Sequence, residues 1–332
     1  MSTRGFTFIV LAGFAATAIA ISIFVATVDP YWLWRDRVGW KFNAAIENKM
    51  RFVKSLQVLT RRPTTVLLGS SVVYRGLDPD DVARDDVYNL GLSSLRIREA
   101  EAYVRQLLRW ATPREIVLGV DYFAFDAKHT TEPGFDPTLP SAEYTLKAGF
   151  TAFLSANALR DAWRLARRPV EDTDGTWHRN GFKLTRARTA EEVAQQLRMT
   201  EVFFRNTRIE RAELAALERI IELTRASGVR LVLFIPPYHN SWLRTAATAK
   251  PALDFPAWAD AVGALARRQR TELWDFARAN PFGDAAVGEG SRWYLDPSHF
   301  SPVLGRWILE RLGLPLRTPG AQAPEGFGVR IP

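Results

Sequence analysis

The residues "TTVLLGSS", Thr64 to Ser71, form a short apolar run with β-branched side chains that ends at a glycine. This pattern is typical of a buried parallel strand. Similar runs recur along the chain, namely "DVYNLG", "REIVLGVDYFAF", "VRLVLFIPP" and "TELWDF". Helical stretches lie between the later runs, notably Arg208 to Ala226 and Phe255 to Arg268. Strands alternating with helices predict an α/β fold, here a flavodoxin-like three-layer αβα sandwich with a five-stranded parallel sheet.

The region from residue 63 to 316 is predicted to be one domain with a long insertion at residues 124–207. The insertion contains a predicted helix from Ala142 to Arg168 and a polar, turn-rich piece. Insertions of this length in compact domains are often lids or binding loops. The Pro- and Gly-rich residues 317–332 are predicted to be an extended tail.

The N-terminus is apolar, with no charged residue over the 24 positions from Gly5 to Val28. At about 1.5 Å per residue a helix of that length crosses the roughly 30 Å hydrocarbon core of a bilayer. Arg4 precedes the run, which favours a cytoplasmic N-terminus with the globular part in the periplasm. The alternative is a cleaved signal peptide, since Ala18 to Ala20 form a possible cleavage site. We predict an uncleaved, single-pass inner-membrane anchor at residues 1–28.

An amphipathic helix is predicted next, within the juxtamembrane residues 29–62. Apolar residues recur every three or four positions from Val38 to Leu59. Just before it, Trp32 and Trp34 provide aromatic side chains of the kind enriched at membrane–water interfaces.

Composition excludes several function classes. Hydrophobic residues make up 47% and charged residues 24% of the 332 positions, which indicates a folded protein. The net charge is +8, but there is no Lys/Arg block with interleaved aromatic residues, so we expect no nucleic-acid partner. The chain has no cysteine, which excludes disulfides, thiolate catalysis and Cys-ligated zinc.

Polar residues follow the predicted strands at the edge where a parallel sheet places its site. Ser70 and Ser71 follow the first strand, and "DPSHF", with Asp296 and His299, follows the fifth. A serine hydroxyl is a weak nucleophile unless a histidine takes its proton, and that histidine needs a carboxylate to fix its tautomer. This order of residues predicts a catalytic triad. The alternative for the two serines is ordinary turn chemistry after a strand.

In these motifs the sequence resembles the SGNH (GDSL-type) hydrolase superfamily over roughly Thr64 to Leu314. The resemblance implies a nucleophile at Ser71, with Ser70 where the family has Asp, and an acid–base pair of Asp296 and His299. It implies oxyanion-hole amides from Ser71 and from Gly91 or Ser94. Asn89, in the "NLGLSS" block, is expected to line the site.

One residue departs from the family pattern. Asp121, in "GVDY", falls where the family has an oxyanion-binding Asn. A carboxylate would repel a developing oxyanion unless it is protonated. Either Asp121 points elsewhere, to an Arg or the backbone, or the oxyanion hole consists of backbone amides.

The membrane anchor, the "GSS" motif and the Arg-rich domain together resemble the periplasmic acyl-transfer branch of the superfamily, such as proteins of alginate O-acetylation and teichoic acid D-alanylation. This implies an acyl group carried on Ser71, a polysaccharide or small acyl ester as substrate, and a membrane acyltransferase as partner. The alternative is a non-catalytic binding or scaffold protein of a polysaccharide assembly complex.

The remaining histidines, His129, His178 and His239, are too far apart in sequence to show the short spacing of metal sites. We therefore expect no metal and no cofactor. His239 follows the fourth strand, at the edge of the sheet where the site is expected, and is a possible site-lining residue.

Overall fold

The computed structural model describes residues 2–34, 44–126, 135–167, 175–206, 209–249, 255–318, 320 and 322–331. His129 lies outside these residues, as does the start of the predicted juxtamembrane helix. The helices are α1 (Thr3–Val28), α2 (Ala44–Arg61), α3 (Ser71–Gly76), α4 (Ile97–Trp110), α5 (Ala142–Leu154), α6 (Ala156–Arg167), α7 (Ala190–Asn206), α8 (Arg211–Ala226), α9 (Asn240–Ala249), α10 (Phe255–Arg268) and α11 (Pro302–Arg311).

The strands are short and most of them belong to one central sheet. They are β1 (Thr65–Gly69), β2 (Val87–Gly91), β3 (Glu115–Gly119), β4 (Gly175–Trp177), β5 (Lys183–Thr185), β6 (Arg230–Ile235), β7 (Glu272–Asp275), β8 (Tyr294–Asp296), β9 (His299–Phe300) and β10 (Val329–Ile331). Within the described residues the central sheet has six strands in the order β10-β7-β6-β3-β1-β2. β4 pairs with β5 and β8 with β9 in separate antiparallel hairpins.

The predicted α/β class and the parallel character of the sheet are confirmed, because β2, β1, β3, β6 and β7 pair in parallel. The predicted count of five strands is wrong. Residues 317–332, expected to be an extended tail, contribute β10, which pairs antiparallel with β7 at the edge of the sheet. Phe327, just before β10, is fully buried, so the hydrophobic effect holds this segment against the domain.

Both faces of the sheet are covered by apolar side chains. Along β1, Val66 and Leu68 point into one hydrophobic cluster, and Leu67 between them points into another. This alternation is the period-two pattern of a strand buried on both sides. The second cluster contains residues of α3 and α11, the two helices that lie next to the predicted nucleophile.

The helix predicted from Ala142 to Arg168 is interrupted. α5 ends at Leu154 and α6 begins at Ala156, with Ser155 in an extended conformation between them. The Ser155 hydroxyl accepts a hydrogen bond from the backbone N–H of Ala158 at 3.0 Å. A serine at this position therefore caps the second helix, which a periodicity of apolar residues does not reveal.

α1 is long and apolar enough to cross a membrane, with a mean hydropathy of 2.5 over its most apolar window. The helix passes the possible cleavage site at Ala18–Ala20 without a break and ends at Val28. Asp29 follows in a left-handed conformation, and its carboxylate accepts hydrogen bonds from the backbone N–H groups of Leu33 and Trp34 at 2.8 and 3.2 Å. The chain therefore turns sharply where the apolar helix ends.

Candidate active site

The structure brings the predicted serine, histidine and aspartate into one hydrogen-bonded chain. Ser71 is the first residue of α3, immediately after β1, whereas Asp296 and His299 lie on the β8–β9 hairpin. The Ser71 hydroxyl lies 2.8 Å from His299 Nε2, and His299 Nδ1 lies 2.7 Å from Asp296 Oδ2. These distances suit transfer of the serine proton to the imidazole.

The environment of Asp296 keeps its carboxyl ionised. Asp296 is almost fully buried, and burial acts to raise its pKa. The charge and hydrogen bond of His299, with hydrogen bonds from Gln196 and Ser298, outweigh burial and hold the pKa of Asp296 well below its ordinary value. An ionised carboxylate only accepts hydrogen bonds, so His299 Nδ1 carries the proton and His299 Nε2 is left to accept from Ser71.

Gln196 of α7 is a site residue that the sequence did not predict. Its Nε2 donates to Asp296 Oδ1 at 2.9 Å and lies 2.8 Å from the Ser298 hydroxyl. The residue lies 100 positions before Asp296 in the chain. The order of the motifs does not predict such a contact. The contact depends on how the insertion packs against the β8–β9 hairpin.

Close packing holds α3 against the elements that carry the histidine. The backbone of α11 approaches that of α3 so closely that a Cβ on Gly305 would lie 1.7 Å from the carbonyl oxygen of Gly76. The ring of Phe300, next to His299, lies against Gly76. Glycine is required at residue 305 because any side chain would push α11 away from the helix that starts at Ser71.

The expected oxyanion donors differ in availability. Ser71 begins α3, so its backbone N–H has no acceptor within the helix. The N–H of Gly91, by contrast, donates to the Asn89 side-chain oxygen at 2.8 Å. Ser94 lines the same cleft as Ser71 and has a positive φ of 50°. The Gly91 N–H is therefore already engaged by Asn89, whereas Ser71 and Ser94 both line the cleft.

Asn89 has a structural role and does not line the described cleft. Its side-chain Nδ2 donates to the carbonyls of Val73 and Leu77 at 2.9 and 2.7 Å, which fixes α3 to β2. Lys54, also fully buried, donates to the carbonyls of Asn89, Gly91 and Gly181 at 2.8–3.0 Å. Burial lowers the pKa of Lys54. This lysine fixes the carboxyl end of β2, and the sequence did not single it out.

Asp121 lies beneath the site. It is 1% exposed, and its Oδ1 accepts a hydrogen bond from the Tyr238 hydroxyl at 3.0 Å. Burial raises its pKa to about 6, although nearby Ser70 and Tyr238 act to lower it. Asp121 thus faces Tyr238 and the side chain and backbone of Ser70, and it does not line the described cleft. The Ser70 hydroxyl caps α3 by accepting from the Val72 N–H at 3.3 Å.

The two described histidines outside the triad have different surroundings. His239 Nε2 lies 2.8 Å from the carbonyl of Ala285, and its Nδ1 lies 2.7 Å from the Ser241 hydroxyl. With both ring nitrogens paired, His239 is a structural residue beside the site. His178 lies near Asp78 and Asp80, and the potential donor atoms of the three fall within 4.8 Å of one another.

An open cleft of about 660 Å³ leads to Ser71. One wall is α7, from the predicted insertion, and the cleft is mainly apolar with a few polar groups. The lining residues are Ser71, Ser94, Phe123, Arg188, Glu192, Gln195, Gln196, Met199, Thr200, Phe203, Phe204, Trp242 and Ser298. Such a surface suits an acyl group held beside a polar alcohol.

Comparison with known proteins identifies no family. No protein-family model and no curated protein matches the chain. Among solved structures it is similar to a variant of an acetyl xylan esterase from Geobacillus stearothermophilus, at 13% identity and a TM-score of 0.36. The match covers 77% of this chain and 96% of that chain. At this level of similarity the match carries no argument about activity, which has to be inferred from the geometry of the site.

Proposed function

We propose that the protein is a serine-dependent acyl ester hydrolase or O-acyltransferase. The observation that carries the proposal is the hydrogen-bonded chain from Ser71 through His299 to Asp296. These residues come from opposite ends of the sequence, and a non-catalytic protein has no need to place them in this order. The resemblance of the motifs to SGNH hydrolases supports the same assignment.

In the proposed reaction, Ser71 Oγ attacks the carbonyl carbon of the ester while His299 Nε2 takes the hydroxyl proton. The backbone N–H groups of Ser71 and Ser94 hold the oxygen of the tetrahedral intermediate. The ester C–O bond then breaks, and His299 returns the proton to the departing alcohol. The acyl group remains on Ser71 while Asp296 stabilises the charge that His299 carries during each transfer.

The second half of the reaction repeats these steps with an acceptor. Water or a sugar hydroxyl attacks the acyl carbon, His299 takes the acceptor's proton, and that proton returns to Ser71 Oγ as the acyl bond breaks. We propose a cell-envelope or exported polysaccharide as substrate. The protein would be held by α1 in the inner membrane with its domain in the periplasm, where a membrane acyltransferase is the proposed partner. The apolar helix α1 supports the membrane assignment.

The first test measures the intact mass of the full-length protein in detergent after incubation with p-nitrophenyl acetate. We expect an added acetyl group that peptide mapping places on Ser71, and no adduct on the Ser71→Ala variant. Ser70→Ala is the matched control, because it removes the neighbouring hydroxyl and should still form the adduct. An adduct that persists in Ser71→Ala would refute the proposed nucleophile.

The same assay distinguishes the remaining functions. A sugar acceptor that shortens the lifetime of the acyl-enzyme and appears as acylated product indicates a transferase. A lifetime that no acceptor changes indicates an esterase. Absence of both adduct and ester turnover in the wild-type protein would contradict the enzymatic proposal and favour the scaffold alternative.

A further inference from the structure

The whole of α1 is long enough to cross a membrane, but the part of it that makes no contact with the domain is too short to do so. Nearly all side chains from Thr3 to Thr17 are exposed, and contact with the rest of the chain begins near Ala18. The free part spans about 22 Å, whereas a transmembrane helix needs about 20 residues to cross a core of about 30 Å. If α1 spans a bilayer, the elements that pack on its last three turns lie at the depth of the membrane interface.

Those elements are α5 and α6, which pack on each other and on the end of α1. The ring of Trp163 on α6 lies 6.3 Å from that of Phe24, and Trp34 stacks on Phe153 of α5 at 5.1 Å. Val25 is buried in the hydrophobic cluster against which Phe24 and Phe153 pack. A cluster of aromatic side chains where an apolar helix ends is typical of a membrane–water boundary.

Polar contacts fix α6 to the base of α1. The Tyr31 hydroxyl donates to Asp161 Oδ2 at 2.9 Å, and Lys49 of α2 forms an ion pair with the same carboxylate. The helix pair α5–α6 is therefore held in position relative to α1. Its depth in a bilayer follows from that of the anchor.

The outer surface of the helix pair is apolar and basic. Leu146 and Phe150, one turn apart on α5, are 76% and 64% exposed, and Trp163 on α6 is 50% exposed. Large apolar side chains at such exposure are costly in water unless something covers them. Next to them, α6 presents the exposed arginines Arg160, Arg164 and Arg167. Apolar residues beside basic residues form the surface of a helix that lies in an anionic membrane interface.

We propose that α5 and α6 form a second membrane contact, in which Leu146, Phe150 and Trp163 enter the lipid surface on the side of the globular domain. The α6 arginines then lie at the level of the phosphate groups of anionic lipids. The occupant of this surface is the bilayer itself, because the surface continues from the apolar helix α1. This inference rests on α1 as the membrane anchor but not on the acyl-transfer chemistry.

The absence of cysteine allows a direct test with single spin labels on the full-length protein. The protein is reconstituted in vesicles of phosphatidylcholine with phosphatidylglycerol, and the label is placed by Leu146→Cys or Phe150→Cys. Oxygen concentrates in lipid and a nickel chelate stays in water, so their relative collision rates report depth. Val202→Cys is the matched control, because Val202 is a 61% exposed apolar residue on α7, far from the anchor in the chain. Phe14→Cys in α1 reports the anchor.

We expect labels at residues 14, 146 and 150 to favour oxygen and the label at residue 202 to favour the nickel chelate. Labels at 146 and 150 that match 202 while residue 14 is in lipid would overturn the inference and leave the anchor in place. Water exposure at residue 14 would overturn both. Spin–spin broadening at 146 or 150 would show that a second copy covers the surface, which also overturns the inference.

Discussion

Replacing Asp121 with Asn should stabilise the protein at neutral and alkaline pH. Asp121 is buried, and its Oδ1 accepts a hydrogen bond from the Tyr238 hydroxyl. Ser70 also hydrogen-bonds to this carboxyl, but burial outweighs both contacts and raises the pKa. A buried carboxylate without compensating charge is unfavourable. Asn has nearly the same shape, keeps the oxygen that accepts from Tyr238, and remains neutral at every pH of interest.

The magnitude follows from the pKa of Asp121. Burial raises it from 3.8 to about 6. Because the folded state holds the proton more tightly than the unfolded chain, this carboxyl stabilises the fold fully below pH 3.8, and that contribution is lost as pH rises through about 6. At about 1.4 kcal/mol per pKa unit, the loss amounts to about 3 kcal/mol. The Asp121→Asn variant does not undergo this loss.

The measurement is the free energy of unfolding of the full-length protein in detergent, followed by tryptophan fluorescence, from about pH 4 to about pH 8. Relative to wild type, the variant should gain about 2.5 kcal/mol across this range, because about 0.5 kcal/mol of the loss already occurs below pH 4. We compare how the stability difference between variant and wild type changes with pH, so any effect of the amide that is the same at every pH cancels. Asp85→Asn, which removes an exposed carboxylate, controls for the change in net charge. A stability difference between Asp121→Asn and wild type that does not grow with pH would refute the reasoning.

Three further substitutions test how the site is held together. Gln196→Ala should lower kcat/KM of ester hydrolysis about tenfold through kcat, since it removes a hydrogen bond worth about 1.4 kcal/mol to the triad carboxylate, whereas Gln195→Ala on the same cleft wall should have little effect. Gly305→Ala should destabilise the protein by at least about 2 kcal/mol in thermal unfolding because its Cβ meets backbone. Gly149→Ala, inside α5 with open space around it, should instead stabilise the protein by up to about 1 kcal/mol. Lys54→Met should destabilise it by about 2 kcal/mol or more, since it leaves buried carbonyls without a donor.

Specific outcomes would contradict these expectations. Equal activities of Gln196→Ala and Gln195→Ala would show that the contact with Asp296 does not position the triad. Gly305→Ala with wild-type stability would show that α11 can move without cost. A Lys54→Met variant as stable as wild type would mean that the apolar side chain compensates for the lost hydrogen bonds, so the lysine would not be what fixes the end of β2.

The parallel sheet could be predicted because its strands leave a strong local signal. Most of them are buried apolar runs, although β7 is only partly buried, and helix α10 begins and ends where the sequence pattern placed it. β10 could not be predicted, because "GVRIP" is short, follows a Pro- and Gly-rich stretch, and pairs only after β7 offers an edge. Strand pairing of this kind depends on tertiary context more than on local propensity.

The triad residues could be predicted from their order after the strands. The residues that hydrogen-bond to the triad and around it could not. The resemblance offered the Gly91 amide as an oxyanion donor, whereas Asn89, two residues earlier, accepts its hydrogen bond. Whether the Asn89 side chain accepts from this N–H depends on its rotamer, which the sequence does not reveal. Gln196 and Tyr238 reach the site from helices and loops whose positions are set by the folded insertion and by β6.

The insertion connects the two proposals. Its α5 and α6 pack on the end of the apolar helix, while its α7 walls the cleft and donates to Asp296 through Gln196. Under these proposals one segment both seats the domain on the lipid surface and shapes the entrance to Ser71. A displacement of α7 would change the orientation of the triad and admit water at the same time. The choice between water and a sugar hydroxyl as acceptor should therefore change with substitutions on α7 that leave acylation of Ser71 intact. Met199 is exposed at the cleft wall, and we expect its substitution to change the ratio of hydrolysis to transfer first.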